Sequence, residues 1–298
     1  MVNILTIHGV WGGVFALTSA LMWAIAAILF MRLGDKVSPL GMNLGKGIVA
    51  IICLGILLLL TDTSSVTNHT FLFLGISGLL GITFGDTFYF MALIRLGPRL
   101  VLILATLIPV ATVFLAVLIL QERPSFISWL GILLTLLGVT WVLWERTPIR
   151  HQLNNWKTGI KYGVLSVLCC ASGVIFSKMV IESTSALKAT FIRQLWGVVG
   201  LILWGFIGFH LKSWLRPLAN PILLKRLLFA SFVGTFLGTW LCLSALKYTD
   251  ASIAATLNST SPIFILPLAF FILKEKISFR AIISSVIAVL GVGLIFFG

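Results

Sequence analysis

Charge is scarce in this chain of 298 residues: only 10% of positions are Asp, Glu, Lys or Arg. A soluble domain carries roughly a quarter. The deficit excludes a molecule that presents most of its surface to water, and the 59% hydrophobic content points to lipid as the main solvent. Acids are rarer still, 8 against 21 basic residues. The resulting charge of +13 does not describe a nucleic-acid binder, because the basic residues stand singly or in small groups between apolar runs rather than along one solvated face. Cysteine is limited to Cys53, Cys169, Cys170 and Cys242, all inside apolar stretches and none in a CxxC pair. That spacing excludes a zinc or dithiol centre and leaves them as small packing residues. No Gly-x-x-x-x-Gly-Lys-Ser/Thr loop is present, so no nucleotide cofactor is expected. His8, His69, His151 and His210 lie at or outside the ends of the apolar runs, which argues against an enzyme buried in the membrane. Neither a metal nor a cofactor is expected.

What the chain has instead is apolar length. About 20 mostly apolar residues are needed to cross ~30 Å of hydrocarbon as a helix. Ten stretches qualify: 12–31, 40–60, 71–95, 99–120, 126–144, 158–181, 187–209, 226–247, 250–273 and 277–297. The first is read as a retained helix, since residues 1–11 lack a basic leader and no small-residue cleavage site follows. The expected fold is therefore all-α and polytopic, with 145–157 and 210–225 as the longest connections.

The chain also repeats itself. Residues 81–145 align without a gap on 234–298, matching Gly81 with Gly234, Gly85 with Gly238, Pro109 with Pro262 and Glu122 with Glu275. The earlier part of each half aligns at a slightly different offset, matching Ser19 with Ser166 and Lys46 with Arg193. The expected organisation is a five-helix repeat over 1–145, a linker at 146–157 and a second five-helix repeat over 158–298. An odd helix number forces the second copy to enter from the opposite side. Inverted repeats let one site near the midplane face either side in turn, which points to transport.

Ionisable residues inside a span cost ~2.5–3.5 kcal/mol each at a helix centre and call for an explanation. Asp86 is expected close to the midplane, ~15 Å from the end of the third span. Lys46 enters the second span from the same side to roughly 9 Å, near enough to pair with Asp86. Arg193 enters from the opposite side to a similar depth and is not expected to touch Asp86. For both cations, outward snorkelling to the head groups is the competing reading. For Asp86 it is a purely structural acid, against a substrate- or proton-binding one. Asn258, Ser259, Thr260 and Ser261 precede Pro262 in the ninth span, where Pro109 marks the equivalent kink in the fourth. These groups either satisfy a kinked backbone or open onto a cavity. Tyr89 and Trp240 are further candidates for the cavity wall. Gly81/Gly85 and Gly234/Gly238 read as close helix contacts.

Taken together, Gly85-Asp86-Thr87-Phe88-Tyr89-Phe90-Met91-Ala92-Leu93, Pro109, Gln121-Glu122-Arg123, then Ala245-Leu246, Pro262 and Lys274-Glu275-Lys276, resemble the EamA type of the drug/metabolite transporter superfamily. The resemblance implies a ten-helix exporter or exchanger of small metabolites such as amino acids, working by alternating access. Its partners would be a small-molecule substrate and the bilayer, with no nucleic acid, and its place the cytoplasmic membrane. A flippase for a lipid-linked head group is the alternative on the same fold. Glu122 and Glu275 match the family's turn glutamate, which implies a structural role. The first span lacks the acid of the small multidrug-resistance relatives, so coupling through that residue is not available. Oligomeric state is left open, a monomer being the simplest arrangement. The basic residues concentrate in the loops after the odd-numbered spans, which places those loops in the cytoplasm and both termini outside. Family habit favours cytoplasmic termini.

Overall fold

The computed structural model describes residues 4–34, 36–61, 65–92, 95, 104–105, 107–145, 156–261 and scattered positions from 263 to 294. Among the described residues all regular structure is helical. Nine segments are labelled here. They are α1 (Ile4–Gly34), α2 (Pro39–Thr61), α3 (Asn68–Ala92), α4 (Leu107–Leu115, continued by Ala116–Leu120), α5 (Phe126–Glu145), α6 (Trp156–Ile181), α7 (Ala186–Ile207), α8 (Pro221–Tyr248) and α9 (Ala251–Asn258). Six of these paths, in α1, α2, α3, α6, α7 and α8, are long and apolar enough to cross a membrane. The protein is an integral, multi-pass membrane protein. The tenth expected span, with Glu275, lies largely outside the described residues, as does Pro262.

Local chemistry sets where the helices begin. Thr67 accepts a hydrogen bond from Thr70 N at 3.2 Å and starts α3 three residues earlier than hydropathy alone places it. Ser185 does the same for Lys188 N at the head of α7. Asn220 Oδ1 accepts from Ile222 N at 2.9 Å, with Pro221 in the first turn where its missing N–H costs nothing. This cap moves the start of α8 from the expected 226 to 221. The segment expected as a loop over 210–225 also carries a short helix, Leu211–Leu215, whose Trp214 packs against Leu44, Val198 and Leu201. Outward faces remain apolar: Leu59, Phe126, Phe206 and Ile207 are each more than two-thirds exposed. Only hydrocarbon makes such faces inexpensive.

The helices of the two halves pack on one another in matching pairs. On α1, Ser19 Oγ donates to Gly238 O at 2.8 Å and Trp23 Nε1 donates to Gly234 O at 3.0 Å. On α6, Ser166 Oγ donates to Gly85 O at 2.8 Å, and Cys170 Sγ lies 3.9 Å from Gly81 O. Residue numbers rise on one helix as they fall on the other, so α1 runs antiparallel to α8 and α6 antiparallel to α3. The third such pair is α2 with α7. Gly47 meets Gln194 and Val198, while further along α2 Gly55 meets Phe191 further back on α7. The glycines expected as close contacts are close contacts: a Cβ at Gly85 would lie 2.6 Å from Cys170 Sγ, and one at Gly238 2.6 Å from Trp23.

Hydropathy does not foresee one feature of α3 and α8. Both widen into π-helix at matching positions, Leu79–Asp86 and Phe232–Gly238. Such stretches are rare and accompany functional sites. Their carbonyls at Gly81, Gly85, Gly234 and Gly238 are the ones that meet donors from α6 and α1.

Candidate functional site

The expected pair forms. Lys46 Nζ on α2 stands 2.8 Å from Asp86 Oδ2, at the end of the π-helical stretch of α3, with the side chains 16% and 31% exposed. The ammonium also lies 5.6 Å from the Phe90 ring centroid, within cation–π range. One turn before Lys46, Asn43 Nδ2 donates to Ile82 O at 3.3 Å. Ile82 O can only accept, which fixes the amide orientation and leaves Asn43 Oδ1 buried without a donor. Two side chains thus reach from α2 to α3. Lys46 turns inward to a carboxylate rather than outward to the head groups.

Arg193 occupies the matching place on α7 and is buried. A Cβ at Gly81 would come within 3.0 Å of its Nη2, so the guanidinium lies against the middle of α3. Its titratable neighbours are Cys242, Cys170 and Asp86. No ion pair between Arg193 and Asp86 forms, in line with their entry from opposite sides; the Lys46–Asp86 bridge is the one ion pair among the described residues. Next to it, Gln194 is buried with Oε1 unpartnered, and Asn258 Oδ1 on α9 is in the same condition. Asn258 Nδ2 donates to Cys242 Sγ at 3.3 Å.

The other expected candidates divide. Tyr89 lines a small crevice with Ala92, Leu104, Ala105, Gly163, Ser166 and Val167. Trp240 packs with Leu54, Leu57, Leu187 and Phe236 in an apolar cluster between α2, α7 and α8. Ser259 Oγ donates to Thr256 O, Thr260 Oγ1 to Leu257 O and Ser261 Oγ to Asn258 O. Those hydroxyls serve the backbone where α9 ends. Pro109 lies within α4. Asn43 and Gln194 are not singled out by the sequence analysis; the available signal was an amide within an apolar run, three residues before Lys46 in one half and next to Arg193 in the other.

On the opposite membrane face lies a second polar cluster. Gln121 takes a left-handed conformation (φ 55°) that ends α4 and turns Glu122 onto the head of α9. There its carboxylate accepts from Ala251 N at 2.8 Å, Ser252 N at 3.3 Å and Ser252 Oγ at 2.9 Å. A carboxylate at a helix N-terminus satisfies orphan N–H groups and meets the positive end of the dipole. Lys178 Nζ closes the neighbouring C-terminus of α8, donating to Leu246 O and Thr249 O at 2.8 and 2.7 Å. Glu122 is therefore a structural clasp.

Comparison with known proteins places this geometry. The model of the EamA-like transporter family matches twice, over residues 10–144 and 157–297. The chain belongs to the EamA-like transporter family. A relative described as an uncharacterized transporter from Archaeoglobus fulgidus is 26% identical over 284 residues, covering 94% of this chain and 96% of that protein. The uncharacterized transporter YetK of Bacillus subtilis is 32% identical over 141 residues, covering 41% and 43%. A solved crystal structure superposes with a TM-score of 0.75 at 17% identity, covering 95% of each chain, which speaks for the fold alone. This EamA-like transporter is a membrane protein, and its family and relatives are named for transport.

Proposed function

We propose that this protein is a secondary carrier for a small metabolite, an exporter or exchanger working by alternating access in the cytoplasmic membrane. The observation that carries the reading is the antiparallel pairing of matched helices. The contacts of α1 with α8 and of α6 with α3 repeat each other side chain for side chain, and α2 meets α7 between them. Two oppositely inserted units that share such contacts exchange roles when they rock, exposing one site to either side. Lys46 and Arg193 enter that shared region from opposite faces, with Asp86 bound to the first.

Asp86 is the group on which solute or proton binding depends, and the Lys46–Asp86 bridge ties α2 to α3 in the arrangement seen here. The basic loops after the odd-numbered spans face the cytoplasm. The test is a comparison of metabolites released by cells with and without the protein. One or a few small metabolites should accumulate outside expressing cells. Identical profiles, with the protein present in the membrane, would overturn the carrier reading.

A further inference from the structure

Lys46 and Arg193 occupy matching positions, yet their surroundings differ. Lys46 is neutralised by Asp86 at 2.8 Å. Arg193 is more than nine-tenths buried, its Nε has no partner, and its guanidinium forms no ion pair among the described residues. A guanidinium offers five N–H donors in a fixed fork and does not release its proton. Held unpaired out of water it is costly, which an anion seated against it would relieve. Among the described residues the protein does not supply that anion nearby. Cys170 and Cys242 are thiols, and the Asp86 carboxylate is taken by Lys46.

An acceptor without a donor lies in the same region. Asn258 bonds through Nδ2 to Cys242, a neighbour of Arg193, and its Oδ1 is unpartnered. A buried, unpartnered guanidinium donor near a buried free acceptor is an incomplete hydrogen-bond set. Its complement is a small molecule with an oxyanion at one end and an N–H or O–H group close by.

We infer that Arg193 binds the oxyanion of the transported solute, a carboxylate or a phosphate monoester, with Asn258 accepting from a donor on the same molecule. The inference rests on the carrier reading and narrows its substrate class. Arg193 is the charge that selects anionic solute, and Lys46, already paired, does not share that task. The planar fork favours two parallel N–H···O bonds, which a lysine ammonium does not reproduce.

The test uses the full chain in proteoliposomes loaded with a small-molecule extract of expressing cells, supplemented with threonine, threonine methyl ester, 1-amino-2-propanol, succinate and glycerol 3-phosphate. Efflux is followed by mass spectrometry against protein-free vesicles. Solutes bearing a carboxylate or phosphate should leave faster with the protein, and whichever group they carry identifies the oxyanion. Arg193→Gln should slow that efflux on the order of 10- to 100-fold, the range of lost charge-assisted hydrogen bonds, with Arg193→Lys between it and the wild type. Efflux confined to solutes without an oxyanion would overturn the inference and leave the carrier reading standing. Undiminished efflux through Arg193→Gln would do the same. No protein-dependent efflux of any solute would overturn both. Should Arg193→Gln not fold, the wild type decides: transport of a solute must be blocked by its free acid analogues and not by their methyl esters.

Discussion

Lys46 and Arg193 began as the same position in two copies of one unit and now do different work. Around Lys46 the protein has built a closed polar set, with Asp86 as counter-ion and Phe90 beneath the ammonium. Around Arg193 it has left the set open, with no carboxylate in contact among the described residues and with the Asn258 amide oxygen receiving nothing. Elsewhere the halves keep their likeness to the level of single hydrogen bonds, as Ser19 with Gly238 and Ser166 with Gly85 demonstrate. The difference teaches that the scaffold was conserved between the copies while the charge balance at the centre was not. Asymmetry of that kind suits a solute whose two ends are unlike.

The comparison can be broken first at Asp86. Asp86→Asn should abolish solute movement in vesicles while insertion and folding persist; full activity would remove this acid from the mechanism. Next comes the contrast between the two cations. Lys46→Ala should lower stability by about 1–3 kcal/mol, between the range of exposed and buried pairs, because it strands Asp86. Adding Asp86→Asn should restore part of the loss, and strictly additive losses in a double-mutant cycle would argue against the pair. Arg193→Gln, by contrast, should leave thermal stability unchanged or raise it, since it removes a charge that has no ion-pair partner among the described residues. A loss equal to that of Lys46→Ala would erase the distinction drawn here. Glu122→Ala should cost about 1–2 kcal/mol through the uncapped head of α9, measured by thermal unfolding in detergent. The smallest effect tests the likeness itself: Ser19→Ala and Ser166→Ala should each cost about 1 kcal/mol and by similar amounts. A cost confined to one half would show that the matched bonds are not equivalent.

Much of this was legible along the chain because a bilayer imposes simple rules. Apolar length fixed the helical class, and the six longest apolar helices fall where hydropathy puts them. The Lys46–Asp86 bond was foreseeable because both residues sit at similar depth from one side, and an unpaired acid in lipid has few alternatives. Glycine spacing announced the contacts of α3 and α8. Other features left no trace of that kind. The π-helical turns at Leu79–Asp86 and Phe232–Gly238 arise where neighbouring helices press close and donate to carbonyls, a condition that no local propensity encodes. Asn220 moved the start of α8, and it did so through a cap that hydropathy averages away.

By itself, then, the order of residues determined an all-helical membrane protein with two related halves and a few costly polar groups, because solvent and periodicity act locally. Only the tertiary structure decided what surrounds Arg193. Whether its guanidinium snorkels outward or lies buried against the middle of α3 depends on which helices face each other across the centre, and that is settled by packing between segments far apart in the chain.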